Sequence, residues 1–194
     1  DEPFGGGVPG IDFPLADPAT TGQVLQFRVV PSMAADPTTP PQFLQLPTVA
    51  PLPAPSVTRP LALLEEMSMG FFDDAPAEAV LGAIAGNPNA GTGTWTPRMW
   101  MEAITENPAL GATEVWEFYN ATADAHPMHV HEVVFQVVDR QPILVDETNK
   151  TVQVVPGSVS TPPEPWETGF KDTVIAYPGQ VTRIKMRFAT PGQF

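Results

Sequence analysis

The sequence predicts an all-β fold, and three features of its composition and patterning support this prediction. Its 25 prolines and 15 glycines are scattered along 194 residues, which favours turns and strand edges over long helices. Short runs rich in valine, threonine and phenylalanine recur between these turn residues. A hydrophobic fraction of 42% is enough for a packed core. We therefore expect a meander or Greek-key β-sandwich.

The composition also excludes several classes of function. A net charge of −13 argues against a nucleic-acid or anionic-membrane partner, because either would require a basic surface. No run approaches the roughly 18 apolar residues that a membrane span requires. The chain has no cysteine, which excludes disulfides, thiolate catalysis and thiolate metal ligands within it.

The N-terminal third is rich in turn-forming residues. The first residues, DEPFGGGVPGIDFPLADP, do not have the regions of a signal peptide, so we expect the chain to start inside a longer polypeptide. The segment GQVLQFRVV (22–30) predicts a strand, because its β-forming side chains partly alternate. We expect 1–30 to end a preceding domain, 31–60 to be a proline-rich linker and 61–194 to be the main domain.

The main domain contains one predicted helix among predicted strands. Acidic residues before Pro76, an alanine-rich turn and Gly86 predict a short helix over 73–86. TEVWEFYN (113–120) predicts a strand, because Val115, Glu117 and Tyr119 alternate with Trp116 and Phe118 between its two faces. Strands are expected at 61–69, 113–120, 129–142, 172–176 and 181–188, with a turn at YPGQ between the last two.

All three histidines of the chain, His126, His129 and His131, lie in the stretch NATADAHPMHVH. Alternate residues of a strand share a face, so His129 and His131 should point together, about 6–7 Å apart at Cα. Pro127 begins the strand and leaves His126 in the preceding turn, where its ring aims at a different point. The spacing H-P-x-H-x-H therefore predicts two neighbouring metal sites. Imidazole binds copper, zinc, iron and nickel, so these residues alone leave the metal open.

The longer stretch TEVWEFYNATADAHPMHVHEVVFQVVDRQP closely resembles the third cupredoxin domain of multicopper oxidases. The resemblance is greatest to the bacterial group of spore-coat laccase, phenoxazinone synthase and bilirubin oxidase. VLQFRVV resembles the end of the family's second domain, and PPEPWETGFKDTVIAYPGQVTRIKMRF resembles the segment before its last copper loop. The resemblance implies a C-terminal fragment with a cupredoxin-like Greek-key sandwich that stops before the last copper loop and strand.

By this resemblance, His126 is a ligand of type 1 copper, His129 of type 2 copper and His131 of the type 3 copper pair. The implied enzyme couples one-electron oxidation of a phenol-like small molecule to four-electron reduction of O₂ to water. Its other copper ligands, including a cysteine, would come from N-terminal domains and a C-terminal segment outside this chain. The fragment alone is therefore expected to be inactive.

Two further residues are candidates for the site. Asp172 is a candidate hydrogen-bond partner of a copper-binding imidazole, or else a strand-end acid paired with Lys171 or solvent. Trp166 is a candidate for the substrate rim near type 1 copper, or else an anchor of its proline-rich loop.

Other interpretations of the sequence remain open. One is a non-catalytic cupredoxin-like module that binds metal or has a structural role. Another is a cupin-type metalloenzyme, although that family has a glutamate downstream of its His-x-His motif and 133–138 here read VVFQVV. Any export signal would lie upstream, and an extracellular, cell-envelope or spore-coat location is expected over a cytoplasmic one.

Overall fold

The computed structural model describes residues 10–11, 15–20, 22–23, 25–67 and 76–192. The chain divides into two units, 1–49 and 50–194. In the first unit, residues 41–43 form a 3₁₀ turn. The strand expected over 22–30 does not form, since 25–30 have no regular secondary structure. Phe27 and Val29 are 85% and 97% exposed, and an unpaired strand cannot bury its apolar face.

The regular secondary structure of the second unit is mainly β. The strands are β1 (Val57–Met67), β2 (Pro76–Ala85), β3 (Gly93–Arg98), β4 (Thr113–Asn120), β5 (His126–His129), β6 (Phe135–Asp146), β7 (Thr151–Val154), β8 (Thr173–Ala176) and β9 (Gln180–Arg187). Within the part of the chain that the structure describes, seven strands form a closed hydrogen-bonded ring in the order β1-β2-β3-β7-β6-β9-β4, and β5 and β8 form a separate two-stranded sheet. Neighbouring strands are antiparallel, except that β1 and β4 are parallel.

Several predicted strands are confirmed. The strand expected at 113–120 is β4, with the same bounds. β8 and β9 each lie within one residue of their expected bounds. β1 begins at Val57, inside the segment expected to be linker, and Pro60 takes a place in the strand. Residues 68–69 of the expected first strand lie outside the described residues.

The helix predicted over 73–86 is wrong, because 76–85 form β2. Residues 73–75 lie outside the described residues. Alanine favours helices locally, but β2 pairs with β1 on one side and β3 on the other. Pairing along both edges outweighs a helix propensity of a few tenths of a kcal/mol per residue. Gly86 ends the strand with φ +86°, so its predicted role as a stop is retained.

The single strand expected over 129–142 is also wrong, because the chain there forms two strands separated by a turn. β5 ends at His129 and β6 begins at Phe135. Glu132 between them has φ +63°, a left-handed conformation that interrupts strand geometry. The turn carries His131 away from the line of β5.

Among the described residues, the core consists of two clusters on opposite faces of the strands β1, β4, β6 and β9. One cluster fills the ring and contains residues such as Tyr119 and Val181. The other, with Phe118 and Phe135, lies between those strands and the β5–β8 sheet. The β5–β8 sheet is therefore held against the ring by apolar packing, which fixes the strand that begins and ends with histidine.

This arrangement confirms the expected all-β, cupredoxin-like β-sandwich. Among the described residues, no helix has the length and apolar character to cross a membrane.

Candidate metal centre

The expectation that His126 lies in the turn before the strand is wrong, because His126 is the first residue of β5 and pairs in register with Ala176 of β8. Its Nε2 lies 2.7 Å from Thr122 Oγ1 and 3.4 Å from Glu65 Oε1 on β1. The imidazole is half-buried, and one face lines a small apolar pocket of about 200 Å³ with Leu63, Val80 and other aliphatic side chains. Two oxygen atoms therefore engage one ring nitrogen, Nε2.

The loop between β4 and His126 is closed by Asn120, the last residue of β4. Asn120 is wholly buried, and its Nδ2 donates to the backbone carbonyls of Asp124 and Ala176 at 2.7 and 3.0 Å. Its Oδ1 accepts from the backbone N–H and the hydroxyl of Thr122 at 2.9 and 2.8 Å. This Asx-type turn joins β4, β8 and the start of β5. It places Thr122 beside the His126 ring.

His129 is the last residue of β5 and is exposed. Its Nδ1 lies 2.8 Å from the backbone carbonyl of Asp172 and 3.2 Å from Thr173 Oγ1. A carbonyl oxygen can only accept, so the shorter contact places the ring proton on Nδ1. Nε2 of His129 then has the lone pair that a metal ligand needs.

His131 lies beyond the end of β5, yet its ring centroid is 5.0 Å from that of His129, with the planes 64° apart. The expectation that the two share a face of one strand is wrong, because β5 ends at His129 and His131 lies in the turn that follows. The turn nevertheless brings the two imidazoles together. His131 also lines a cavity of about 620 Å³, walled in part by Trp116 and Phe188.

The donor chemistry of these residues fits copper, because neutral imidazole nitrogens are ligands that copper accepts. Hydrogen-bond partners already orient the rings of His126 and His129, as such partners do for metal-binding histidines. Among the residues that the structure describes, no group of three or more His, Cys, Asp or Glu side chains could hold a metal ion on its own. The histidines therefore fit copper in type but do not form a complete ligand set.

Comparison with known proteins identifies the family. Residues 74–194 match the sequence model of a family described as multicopper oxidase. The chain belongs to the multicopper oxidase family. Membership implies copper as the cofactor, and it makes the cupin interpretation unnecessary.

Curated relatives in this family include two bacterial laccases. The laccase of Bacillus stratosphericus is 42% identical over 91 residues, which are 47% of this chain and 18% of that protein. The laccase of Bacillus subtilis (strain 168) is 37% identical over the same share of each chain. This chain therefore spans less than a fifth of the length of these relatives.

Among solved structures, the multicopper oxidase McoA of Aquifex aeolicus aligns with 75% of this chain and 25% of its own. The TM-score is 0.43 and the sequence identity is 21%.

The two remaining candidate residues, Trp166 and Asp172, both lie in the segment that precedes β8. Asp172 contacts the His129 ring through its backbone carbonyl, whereas the carboxylate was the expected partner. Trp166 lies in the 3₁₀ turn Pro165–Glu167 and is 73% exposed. A residue that anchors its loop would be buried. The exposed Trp166 ring therefore does not fix its loop in this multicopper oxidase by apolar packing.

An ion pair fixes the loop of Trp166. Arg140 on β6 donates to both carboxylate oxygens of Glu167 at 2.7 and 2.6 Å, and also to the Ile175 carbonyl at 3.1 Å. The Arg140 guanidinium holds the pKa of Glu167 below its ordinary value, although partial burial opposes this effect. The guanidinium also lies 5.1 Å from the centroid of the Tyr177 ring. The turn that contains Trp166 is thus held to β6, in the ring of strands, and to β8.

Sequence reasoning missed Thr122 and Glu65. Thr122 lies four residues before His126, and the pattern Asn-x-Thr preceding a histidine motif is a local signal for an Asx turn. Glu65 lies on β1, and only the parallel pairing of β1 with β4 brings it to the histidine loop. No local sequence pattern predicts that contact.

Proposed function

We propose that this chain supplies three copper ligands to a laccase-like multicopper oxidase: His126 to type 1 copper, His129 to type 2 copper and His131 to the type 3 pair. The enzyme couples one-electron oxidation of phenol-like substrates to four-electron reduction of O₂ to water. The observation that carries this proposal is the division of the histidines. His129 and His131 lie together with their ring centroids 5.0 Å apart, while His126 has a separate hydrogen-bonded environment.

What copper supplies when bound is one-electron redox chemistry, which none of these side chains has by itself. The role of this chain is to hold the ligand nitrogens. The Asp172 carbonyl orients His129 so that Nε2 is free. Thr122 and Glu65 engage Nε2 of His126 and leave its Nδ1 free. Each imidazole is thereby held with one nitrogen available.

A phenol-like reductant is supported by the apolar surroundings of His126. The pocket of about 200 Å³ beside this ring is lined mainly by aliphatic side chains, including Leu63, Leu81 and Met128. Such a surface favours an aromatic ring over a strongly charged substrate. The relatives named laccase support the same substrate class.

The chain alone is proposed to be inactive as an oxidase. A blue-copper centre requires a thiolate, and this chain contains no cysteine. Partners for the three histidines would come from other domains of a longer protein. The share of the relatives that the chain covers, 18%, is in keeping with this proposal.

Oxygen consumption by the full-length gene product tests the proposal. Loaded with copper and supplied with 2,6-dimethoxyphenol, it should consume one O₂ per four electrons delivered. His129→Gln should abolish O₂ uptake, whereas Asn149→Gln, in the exposed turn after β6, should leave it unchanged. If His129→Gln retains full activity, the assignment of this residue to the O₂-reducing cluster is wrong.

The 194-residue chain provides the second arm of this test. With copper and the same phenol it should show no O₂ uptake and no intense blue absorption. Copper binding without turnover would be expected of the oxidase fragment. If the full-length product also binds copper without turnover, the non-catalytic metal-binding module is the better description.

A further inference from the structure

We propose that Thr122, Asn120 and Glu65 act as positioning residues that fix the tautomer of His126, with the ring proton on Nε2 and the lone pair on Nδ1. These residues thereby select Nδ1 as the nitrogen that His126 offers to a metal. The tautomer follows from the hydrogen bonds of this chain alone. Only the identity of the metal that Nδ1 would bind, copper, rests on the proposed function.

The orientation of the Asn120 side chain is the first step. Asn120 is wholly buried, and its amide nitrogen lies near two backbone carbonyls, those of Asp124 and Ala176. Carbonyl oxygens can only accept, so the nitrogen must be the group that faces them. The side-chain oxygen of Asn120 is then directed at Thr122, where it can only accept.

The Thr122 hydroxyl is the second step. A hydroxyl has one proton to donate and two lone pairs. Its proton has acceptors in Asn120 Oδ1 at 2.8 Å and the Asp124 carbonyl at 3.1 Å. One lone pair accepts from the Asp124 backbone N–H at 3.2 Å. The remaining lone pair faces His126 Nε2 at 2.7 Å, which requires a proton on that nitrogen.

Glu65 on β1 also requires a proton on His126 Nε2. Its Oε1 lies 3.4 Å from His126 Nε2, and both side chains are largely covered, with 13% and 22% of their area exposed. A carboxylate has no proton to donate. A lone pair on Nε2 would therefore face two oxygen atoms without a hydrogen between them, which is unfavourable in a partly buried place. A proton on Nε2 satisfies both.

In the metal-free chain, the hydrogen bonds of His126 therefore already determine that Nδ1 carries the lone pair. His129 is held in the opposite sense, because the Asp172 carbonyl engages its Nδ1 and leaves Nε2 free. One strand of four residues thus presents two histidines through different ring nitrogens. The selection is made by a hydroxyl and a carboxylate at one end and by a backbone carbonyl at the other.

Nitrogen-15 NMR of the metal-free 194-residue chain tests the tautomer directly. The chain has three histidines, so His129→Gln and His131→Gln assign the His126 ring signals by elimination. Spectra are recorded near pH 8.5, about two units above the ordinary histidine pKa of about 6.5. We expect a protonated-type signal for Nε2 and a lone-pair-type signal for Nδ1.

Thr122→Val removes the hydroxyl at nearly constant shape, and Thr122→Ser is the matched control that retains it. The Val variant should move the two ring-nitrogen shifts toward each other as both tautomers become populated, and the Ser variant should restore the wild-type pattern. Dispersed backbone amide signals verify that each variant is folded. Glu65→Gln should give a smaller change in the same direction.

Three outcomes would overturn the proposal. The first is a wild-type spectrum with the proton on Nδ1, which needs no variant and remains decisive if the variants do not fold. The second is a folded Thr122→Val variant with unchanged ring shifts. The third is a Ser variant that resembles Val. None of these results depends on copper or oxidase activity, so failure here is distinguishable from failure of the proposed function.

Discussion

Arg183 donates from Nε to Glu117 Oε1 at 2.7 Å, across the pairing of β9 with β4. Its Nη1 also donates to Asp139 on β6 at 2.8 Å, so one guanidinium joins three neighbouring strands of the ring. Burial disfavours the charge, yet the hydrogen bonds to Asp139 and Glu117 raise the pKa of Arg183 above its ordinary value. Burial and the negative charge of Glu117 raise the pKa of Tyr119 beside them.

Replacement of Arg183 by Met should destabilise the protein strongly. Glu117 is only 4% exposed and would lose its charged partner, which leaves a buried carboxylate uncompensated. The expected loss is about 3–5 kcal/mol in the free energy of unfolding. Urea unfolding followed by circular dichroism measures it. Arg187→Met, on the exposed end of the same strand, is the control and should change stability little; an equal effect of both variants would contradict this account.

The Arg140–Glu167 pair should make stability depend on pH in the acid range. The pKa of Glu167 is lower in the folded state than in the unfolded state, chiefly because of its hydrogen bonds with Arg140. Its stabilising contribution is therefore complete above the unfolded carboxyl pKa of about 4.3 and is lost as pH falls through the lower folded value. Glu167→Gln should flatten the dependence of unfolding free energy on pH below about 5. Glu147→Gln, in an exposed turn, should leave it as in the wild type.

Trp166 should affect substrate use without affecting stability. Its ring is 73% exposed on a clamped turn, so Trp166→Ala removes little buried surface and should change unfolding free energy by less than about 0.5 kcal/mol. If the ring forms part of the substrate rim, the full-length oxidase should show a several-fold higher KM for dimethoxyphenol with kcat nearly unchanged. Trp100→Ala is the matched control, because Trp100 is 96% exposed. Equal KM values for the wild type, Trp166→Ala and Trp100→Ala would show that Trp166 is not part of the substrate rim.

Phe135 should be essential for holding the β5–β8 sheet against the ring. Its side chain is wholly buried in the cluster between the two sheets, and its backbone exchanges hydrogen bonds of 2.7 and 2.8 Å with Lys171. Phe135→Ala should lower the free energy of unfolding by about 3–5 kcal/mol. Hydrogen exchange should also show earlier opening at β5 than at β4. Val134→Ala, one residue earlier and 55% exposed, should have little effect on either measurement.

Local patterning predicted the parts of the fold whose signals are themselves local. TEVWEFYN contains β-forming side chains on both faces of a strand and is bounded by turn residues, so the bounds of β4 follow directly. The residues of β2 have helix-favouring alanines, and only their pairing with β1 and β3 determines the outcome. The turn between β5 and β6 contains a positive φ at Glu132, a residue type that gives no indication of such a conformation.

The same distinction applies to the candidate site. The three histidines could be chosen from the sequence because their spacing is short and they are the only ones in the chain. That His129 and His131 lie together was predicted, but for a wrong geometric reason. The contact of Glu65 with His126 depends on strand pairing between distant segments, which no pattern within either segment encodes.

The burial of Asn120 has a practical consequence for production of the protein. Asn120-Ala-Thr and Asn149-Lys-Thr both match the acceptor sequence for N-linked glycosylation. Both donor bonds of the Asn120 amide are used inside the fold, so a sugar attached there would prevent β4, β5 and β8 from meeting. Asn149 is exposed in the turn between β6 and β7 and can carry a glycan without disturbing the strands. A eukaryotic secretion host is therefore expected to yield folded chains glycosylated at Asn149 alone.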